Sequence, residues 1–209
     1  MRRARHANVT VSPDVSTLLE TYFTLLARWN EKINLTALPL NPPTDEAFDR
    51  LFIEPLAAAR VMPNEPGMWL DLGSGGGSPA IPLKVVRSKL KLTMVESKVR
   101  KAAFLREAIR TMNLSDAAVE NTRMESLGST STWRSSAWLI TVRAIRAEPK
   151  LFALAAELLA SNGRLLLFRP TNATLTMRGF EQVETVQLTD VPRAFLAVFR
   201  RVFHVEQSR

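Results

Sequence analysis

The sequence has no cysteine and only two histidines, and these shortages disfavour several classes of enzyme. Without thiols the chain has no disulfide framework, no thiolate metal site and no cysteine nucleophile. His6 and His204 lie near opposite ends of the 209 residues, where a Ser-His-Asp triad or a zinc cluster is hard to assemble. Hydrolytic and zinc-dependent mechanisms therefore lose most of their support.

Long hydrophobic runs are also absent. The best candidate, LFALAAELLA at 151–160, is far shorter than the ~20 residues of a membrane span and contains Glu157. The amino-terminal stretch MRRARHANVT is basic but is followed by no apolar segment, unlike a secretory signal. We therefore expect a cytoplasmic protein with no membrane partner.

Positive charge is in excess, because 28 lysines and arginines stand against 20 acidic residues and give a formal net charge of +8. This balance indicates a polyanionic partner such as nucleic acid or an anionic membrane, although it also favours solubility. The hydrophobic fraction of 46% suffices for a real core, and the length favours one compact unit. Nothing in the composition requires more than a monomer.

Hydrophobic periodicity divides the chain into two parts. Apolar residues recur at helical spacing over 12–29 and, less regularly, over 47–62, which predicts an N-terminal helical extension over residues 1–62, packed on the core. In residues 63–209 apolar, strand-like segments alternate with amphipathic ones, as is typical of an α/β fold with a parallel sheet. Strands are predicted near 68–72, 90–95, 117–121, 137–142 and 163–168, and helices near 79–88, 97–112 and 147–160. Two further strand-like segments, 180–188 and 195–203, predict an antiparallel pair at one sheet edge.

The most informative segment is WLDLGSGGGSPAIP at 69–82, in which a strand leads directly into a glycine-rich loop. Such loops let a ligand approach the main chain at the carboxyl end of a strand. A triphosphate-binding Walker loop would need Gly-Lys-Ser/Thr, which is missing here. A dinucleotide motif would match Gly73 and Gly75 but would require glycine where Ser78 stands.

Two carboxylates bear on the choice between a dinucleotide and S-adenosylmethionine as the ligand of this loop. Asp71, placed before the first glycine, would repel a pyrophosphate but would attract the ammonium and sulfonium groups of S-adenosylmethionine. Glu96 ends the next strand, 23 residues after Gly73, where a carboxylate can accept hydrogen bonds from ribose hydroxyls. Glu96 supports adenosine binding in general, since NAD proteins share this feature. Asp71 favours S-adenosylmethionine, with S-adenosylhomocysteine as product.

Five segments together resemble the RsmG family, also called GidB. They span most of the chain in the family's order and read WNEKINLT, LDLGSGGGSPAIPL, KVRKAAFLRE, TRMESL and ITVRAI. The resemblance implies a class I methyltransferase fold, a Rossmann-like seven-stranded sheet whose last strand is antiparallel. It also implies that S-adenosylmethionine methylates N7 of one guanine in the decoding-site loop of 16S ribosomal RNA. The cofactor would then be held by Gly73, Ser78, the segment Met124–Glu125, and Arg143.

The chain departs from the family's usual pattern at three places. The glycine loop has Ser78 and Ala80 around Pro79 instead of Gly-Leu/Phe-Pro-Gly, and the common Arg-His-Ile-Leu-Asp-Ser reads RLFIEP at 50–55. Glu54 thus replaces an aspartate. A Lys-Gly pair is replaced by FRPT at 168–171. These changes concern contacts with cofactor and RNA rather than the class of reaction.

The chemistry of the acceptor fits the shortage of acid-base residues. N7 of neutral guanine carries a lone pair and no proton, so methylation there needs alignment and no general base. A C5-pyrimidine methyltransferase would need a cysteine nucleophile, which is absent. NPPT at 41–44 lies before the glycine loop and lacks the aromatic residue of an amino-group methyltransferase, so it is interpreted as a turn.

Two arginines are the candidate catalytic residues. Arg143 is expected to donate to the cofactor carboxylate or to guanine O6, or else to form an ion pair with Glu125 or Asp71. Arg123 is expected to contact an RNA phosphate or to be a solvated charge. A phosphate footprint is predicted for the basic residues Arg2, Arg3, Arg5, Lys98, Arg100, Lys101 and Arg146.

Other interpretations remain open from the sequence alone. The chain could be a related methyltransferase acting on another RNA or a small molecule, or an RNA-binding protein that has kept the fold without transfer. The substrate could be naked 16S RNA or the assembled small ribosomal subunit. Separately, the segment FHVE at 203–206 can be encoded by the palindrome TTCCACGTGGAA, which raises the hypothesis that a DNA-binding protein reads the gene there.

Overall fold

The structure is a computed structural model that describes residues 9–190 and 193–202. Both histidines, the predicted phosphate contacts at Arg2, Arg3 and Arg5, and the segment 203–206 lie outside the described residues. The described chain forms a seven-stranded sheet with helices on both faces. The strands are β1 (Gly67–Leu72), β2 (Leu90–Val95), β3 (Ala117–Glu120), β4 (Ala137–Arg143), β5 (Leu159–Arg169), β6 (Phe180–Asp190) and β7 (Arg193–Arg201).

The strand order is β3-β2-β1-β4-β5-β7-β6, with the first five strands parallel. β7 is antiparallel to both β5 and β6, so the last strand inserts between them. This confirms the class I methyltransferase fold and the antiparallel pair at one edge. The chain order reverses between β1 and β4, and their carboxyl ends are where ligands bind in open α/β sheets.

The helices that flank the sheet are short apart from two. They are α1 (Pro13–Asn30), α2 (Asp45–Phe48), α3 (Glu54–Ala58), α4 (Ala80–Val86), α5 (Val99–Thr111) and α6 (Pro149–Leu158). The hydroxyl of Ser12 accepts a hydrogen bond from the Val15 amide and caps α1, and Pro13 occupies the first turn. None of the helices in the described part of the chain is long and apolar enough to cross a membrane.

The segment predicted as one helix over 47–62 is instead broken into pieces. A π-helical turn, Asp49–Ile53, separates α2 from α3, and a 3₁₀ turn, Ala59–Val61, follows. Pro55 explains the break, because it has no N–H to donate to the Leu51 carbonyl four residues earlier. The Glu54 amide donates to Asp49, five residues back, and this leaves the Arg50 carbonyl available as well.

Two hydrophobic clusters lie against the sheet. One contains buried residues of α1 and of the sheet together, among them Tyr22, Leu26, Trp69 and Ile81. The other joins α6 to residues such as Leu70, Ile140 and Leu165. The helices before β1 therefore share a core with the sheet, while the domain boundary at residues 62 and 63 stays a prediction.

The amino-terminal end of β5 is irregular. Leu159 pairs with Ala137, but the next pair is Arg164 with Leu139, so residues 160–163 form a bulge in β5. Gly163 is required in this bulge, because a Cβ there would lie 2.7 Å from the Ala137 carbonyl oxygen. The predicted strand, 163–168, missed the bulge and the residues before it.

Candidate active site

Two cavities meet at the carboxyl ends of β1, β2 and β4. The larger has a volume of about 640 Å³ and the smaller about 370 Å³, and Gly73, Glu96 and Ile145 line both. The glycine loop, residues 73–78, forms one wall of the larger cavity. Residues 35–39, from the connection after α1, form part of its other wall. The site is therefore built from the N-terminal segment as well as from the sheet.

The glycine loop takes a backbone path that side chains would hinder. Gly73, Gly75 and Gly77 have φ values of 73°, 52° and 87°, in the left-handed region. At Gly73 a Cβ would lie 2.8 Å from Cδ1 of Ile145, so the bare backbone leaves room for Ile145 between the two cavities. The peptide between Ser78 and Pro79 is cis.

Tyr22, the only tyrosine in the sequence, ties α1 to the glycine loop. Its hydroxyl donates a 2.6 Å hydrogen bond to the Gly76 carbonyl. Burial raises the pKa of Tyr22, so the phenol stays protonated and remains a donor. The apolar periodicity over 12–29 gave no indication of this polar contact.

Glu96 lies where the two cavities join, as its predicted role requires. Its carboxylate accepts hydrogen bonds from the amides of Gly75 (2.9 Å) and Lys98 (2.7 Å). The side chain of Asn121 donates to the Glu96 carbonyl at 2.7 Å and holds the end of β2. Both carboxylate oxygens have lone pairs left for further donors.

Asp71 is buried beneath the glycine loop, not exposed on the wall of either cavity. Its Oδ1 accepts a 2.5 Å hydrogen bond from the Thr141 hydroxyl on β4, which in turn accepts one from the Trp69 indole at 2.9 Å. Burial raises the pKa of Asp71 to about 6, against the hydrogen bonds and Arg143, which lower it. With this pKa the carboxylate is charged at neutral pH, and it lines neither of the two cavities.

Arg143, at the end of β4, is fixed by the interrupted helix. Its guanidinium donates to the Arg50 carbonyl, forms an ion pair with Glu54, and donates to Ser78 Oγ at 3.2 Å. Ser78 itself donates to the Arg50 and Leu51 carbonyls, at 3.2 and 3.3 Å. The carbonyls released by Pro55 and the π turn are thus the acceptors that this site uses.

The ion-pair partner of Arg143 differs from the two that the sequence suggested. Glu54 takes that place, whereas Glu125 lies on the smaller cavity and Asp71 accepts a hydrogen bond from Thr141. Burial raises the pKa of Glu54 and lowers that of Arg143, and in each case the partner's charge opposes the shift. Phe168 packs against the guanidinium, with the carbon Cζ 4.6 Å from the ring centre.

The smaller cavity is lined by the segment that follows β3. Arg123, Met124 and Glu125 lie at the start of a 3₁₀ turn, Met124–Ser129, and face Glu96 and Lys98 across this cavity. Arg123 and Glu125 are exposed, and Met124 is half-buried. The structure therefore brings all the predicted site residues except Asp71 onto the two cavities, with Gly73, Gly75, Ser78, Glu96 and Arg143 on the larger one.

Sequence analysis missed several side chains of the site. Glu54 was noticed only as a departure at a family position, and Arg50 and Phe168 carried no signal of their own. Ile145 was visible within ITVRAI but was given no role. The proline at position 55 was the signal that could have revealed the free carbonyls, because it breaks a helical pattern beside a buried acid.

Comparison with known proteins identifies the family. The family model described as GidB, rRNA small subunit methyltransferase G, matches residues 16–196. The ribosomal RNA small subunit methyltransferase G of Paracoccus denitrificans is 38% identical over 154 residues, 74% of this chain and 76% of the relative. The same enzyme of Xanthomonas oryzae is 34% identical over 181 residues, 78% of this chain and 80% of the relative.

Solved structures agree with the fold. A SAM-dependent methyltransferase from Aquifex aeolicus superposes with a TM-score of 0.58 at 13% identity, covering 76% of this chain and 94% of that one. MtNAS in complex with MTA and tNA superposes with a TM-score of 0.61 at 12% identity, covering 88% of this chain and 71% of that one. With its fold, its glycine loop and the match over residues 16–196, the chain belongs to the GidB family of rRNA small subunit methyltransferases.

Proposed function

We propose that this protein transfers the methyl group of S-adenosylmethionine to N7 of a guanine in 16S ribosomal RNA and releases S-adenosylhomocysteine. The family match carries the proposal, because it covers every residue that lines the two cavities. N7 is the position that the RsmG resemblance implies, in the decoding-site loop. The basic charge of the chain, +8, suits a nucleic acid substrate.

The two cavities fit the cofactor by their chemistry. Glu96 lies at their junction with acceptor capacity for ribose hydroxyls, and Met124 and Glu125 line the smaller cavity, where the adenine would lie. Gly73, Gly75 and Ser78 present backbone and hydroxyl groups to the larger cavity, and the buried charge of Asp71 beneath them favours a cationic end. When bound, S-adenosylmethionine supplies an electrophilic methyl group on its sulfonium.

The residues of the site are suited to holding an acceptor that has no proton to lose. Glu54, Asp71 and Glu96 each already accept hydrogen bonds from donors of the chain. Their hydrogen bonds orient the glycine loop and Arg143, so these three carboxylates are engaged in holding the site. Alignment of a lone pair with an electrophile requires this kind of rigid site.

Arg143 is the residue that we propose to act at the reacting groups. Its three hydrogen bonds use part of a guanidinium that carries five N–H groups, and the remainder can donate to guanine O6 or to the cofactor carboxylate. Glu54, which lines neither cavity, is then a positioning residue that holds Arg143 through their ion pair. Arg123, exposed on the smaller cavity, is proposed to contact an RNA phosphate.

A phosphate footprint near the cavities is the expected RNA contact. Lys98 and Lys101 line the cavities, and Arg100 and Arg146 are exposed nearby in the chain. These four cations lie in the described part of the footprint that the sequence predicts. We further propose a cytoplasmic monomer with no membrane partner.

Transfer to RNA lacking the modification tests the proposal. Purified protein and radiolabelled S-adenosylmethionine are incubated with small subunits, or with naked 16S RNA, from a strain whose homologous gene is deleted. One methyl group per RNA is expected, mapped by mass spectrometry to N7 of a decoding-loop guanine. RNA from the parent strain, already modified, is the control.

Two results would contradict this function. Saturable RNA binding without any transfer would favour an RNA-binding protein that has kept the fold. Binding of NAD in calorimetric titration, with S-adenosylmethionine excluded, would remove the cofactor assignment. Comparison of naked RNA with assembled subunits decides which of the two is the substrate.

A further inference from the structure

A second large cleft lies at the opposite end of the sheet from the candidate active site. Its volume is about 760 Å³, and it is lined by the chain before β1, the start of β4, the bulge in β5 and one residue of β6. Trp138 on β4 and Arg143 at the site are five residues apart, which corresponds to roughly 17 Å along the strand. The cleft is therefore separate from both cavities of the active site.

An exposed tryptophan forms the platform of this cleft. Trp138 is 51% exposed, an unusual state for the largest apolar side chain. Its ring lies against the bare backbone of Gly67, where a Cβ would be 2.9 Å from the ring carbon Cε3. One side of the indole is thus fixed on the sheet, and much of the rest faces the cleft.

Two arginines give the cleft positive charge. Arg60 is held in place by a 2.9 Å hydrogen bond from its guanidinium to the Gln187 carbonyl. Arg164, at the end of the bulge, is exposed, and no other described residue forms an ion pair or hydrogen bond with its side chain. Glu184 and Asn162 also line the cleft and can accept hydrogen bonds from a base or a ribose hydroxyl.

We propose that this cleft binds an unpaired nucleotide of the RNA substrate, with the base stacked on Trp138 and a phosphate beside Arg60 and Arg164. A flat aromatic surface next to guanidinium groups is the combination by which proteins bind single-stranded nucleic acid. Residues 160–163 of the bulge line the cleft together with the ring. The inference rests on the proposed function and adds a contact with RNA outside the reacting site.

The test compares methyl transfer by Trp138→Ala, Trp138→Phe and Arg164→Glu. The substrate is small subunits lacking the modification. Trp138→Ala and Arg164→Glu are each expected to raise the KM for subunits about tenfold, with kcat and the Kd for S-adenosylmethionine unchanged. Trp138→Phe keeps a stacking surface, so its KM for subunits should stay near that of the wild type. Arg178→Glu, an equal charge change outside the cleft, is the matched control and should have little effect.

A direct binding measurement accompanies the kinetics. A single-stranded oligoadenylate should quench part of the intrinsic fluorescence of the wild-type protein, and this quenching should be lost in Trp138→Phe. Wild-type KM in both Trp138→Ala and Arg164→Glu would overturn the inference while leaving the proposed function intact. Absence of transfer by the wild type would overturn the proposed function, and quenching would still report on the cleft.

Two further outcomes would also overturn the inference. A raised KM for assembled subunits, without quenching by the oligoadenylate and without any effect on naked RNA, would assign the cleft to a protein partner. Quenching by adenosine monophosphate as tight as by the oligoadenylate, with unchanged KM for RNA, would assign it to a free nucleotide.

Discussion

Arg143 lies in a pocket whose walls come from three distant parts of the chain. Glu54 and the Arg50 carbonyl come from the broken helix, Ser78 from the glycine loop, and Phe168 from the end of β5. A guanidinium held by an anion, a carbonyl and an aromatic face has few alternative rotamers. The conformational entropy of this side chain is therefore lost when the protein folds, before any ligand binds.

Removal of the guanidinium should impair the reaction. Arg143→Ala is expected to lower the rate of methyl transfer by about tenfold to a thousandfold, or about 1.4–4 kcal/mol of transition-state stabilisation. Single-turnover kinetics with saturating cofactor and RNA measure this change. An unchanged single-turnover rate in a folded variant would exclude Arg143 from the role proposed for it.

Loss of the charge at position 54 should act through Arg143. Glu54→Gln leaves a buried guanidinium without its anion, which is expected to destabilise the protein by about 3–5 kcal/mol and to lower kcat more than it changes the KM for cofactor. Glu54→Asp restores the carboxylate that the family commonly has there, and it should recover much of kcat. If Glu54→Gln lost stability but kept its full kcat, Glu54 would serve the fold alone.

The raised pKa of Asp71 predicts a pH dependence of stability. Because the folded-state pKa, about 6, exceeds the ordinary value near 4, the folded protein binds the proton more tightly than the unfolded chain. The contribution of this group to stability is fully present below about pH 4 and is lost as the pH rises to about 6. Asn does not titrate, so Asp71→Asn keeps its stability over this range. Its free energy of unfolding, relative to that of the wild type, should increase by about 2–3 kcal/mol between pH 4 and pH 6.

Urea titrations of both proteins from pH 4 to pH 7 measure the difference. It should grow with pH up to about 6 and then level off. A constant difference across this range would mean that Asp71 does not titrate there. The same substitution removes the buried negative charge under the glycine loop, so the affinity for S-adenosylmethionine at pH 7 should fall.

At the scale of elements, the glycine loop depends on backbone that side chains cannot follow. Gly73→Ala places a Cβ on a residue with positive φ, which lowers the free energy of unfolding by about 1–2 kcal/mol. The new Cβ also pushes Ile145 towards the cavities that Ile145 lines. We expect the Kd for S-adenosylmethionine to rise at least tenfold. Gly179→Ala has a similar φ, 78°, with no atom within 4 Å of the new Cβ, so it should cost stability without changing that Kd.

Isothermal titration of both variants, with thermal unfolding alongside, separates the two effects. Equal cofactor affinity in Gly73→Ala and Gly179→Ala would show that the space between Gly73 and Ile145 has no part in binding.

The elements whose patterns are local were predicted well. α1 and α5 have regular apolar stripes. β1 and β2 are apolar runs; Asp71 is the last residue but one of β1, and Glu96 directly follows β2. The prediction of one helix over 47–62 was wrong, because periodicity alone does not show which carbonyls lose their partners at Pro55. The bulge at 160–163 was missed because it follows from the pairing with β4, a long-range contact.

The site was predictable where a motif is contiguous and unpredictable where a contact joins separate segments. Gly73, Gly75 and Glu96 follow from a strand, a loop and the next strand in order. The pairing of Glu54 with Arg143, 89 residues apart, depends on how the broken helix packs on the sheet. Two carboxylates, Glu125 and Asp71, were equally reasonable partners from the sequence, and only the tertiary structure distinguishes them from Glu54.

For the whole molecule, the net charge of +8 predicts association with RNA that depends on salt. If Lys98, Lys101, Arg100 and Arg146 each neutralise a phosphate, log KM for RNA should rise with log salt concentration with a slope of roughly 3–4. Lys101→Ala should lower this slope by about one. Steady-state kinetics from 50 to 300 mM potassium chloride measure it, with the Kd for S-adenosylmethionine as a reference that should change little. A flat dependence would assign the charge to solubility.

The core shared by α1 and the sheet has a consequence for how such a protein can evolve. Tyr22 and Leu26 of α1 are fully buried in the same cluster as Trp69 of β1 and Ile81 of α4, and the Tyr22 hydroxyl reaches the Gly76 carbonyl. If the amino-terminal helix made no contact with the sheet, gene fusion could join the catalytic domain to a different amino-terminal segment. Here replacement of α1 by a helix from an unrelated protein would expose apolar residues on one face of the sheet. Substitutions in this helix are therefore tolerated only together with compensating substitutions in the sheet and in α4.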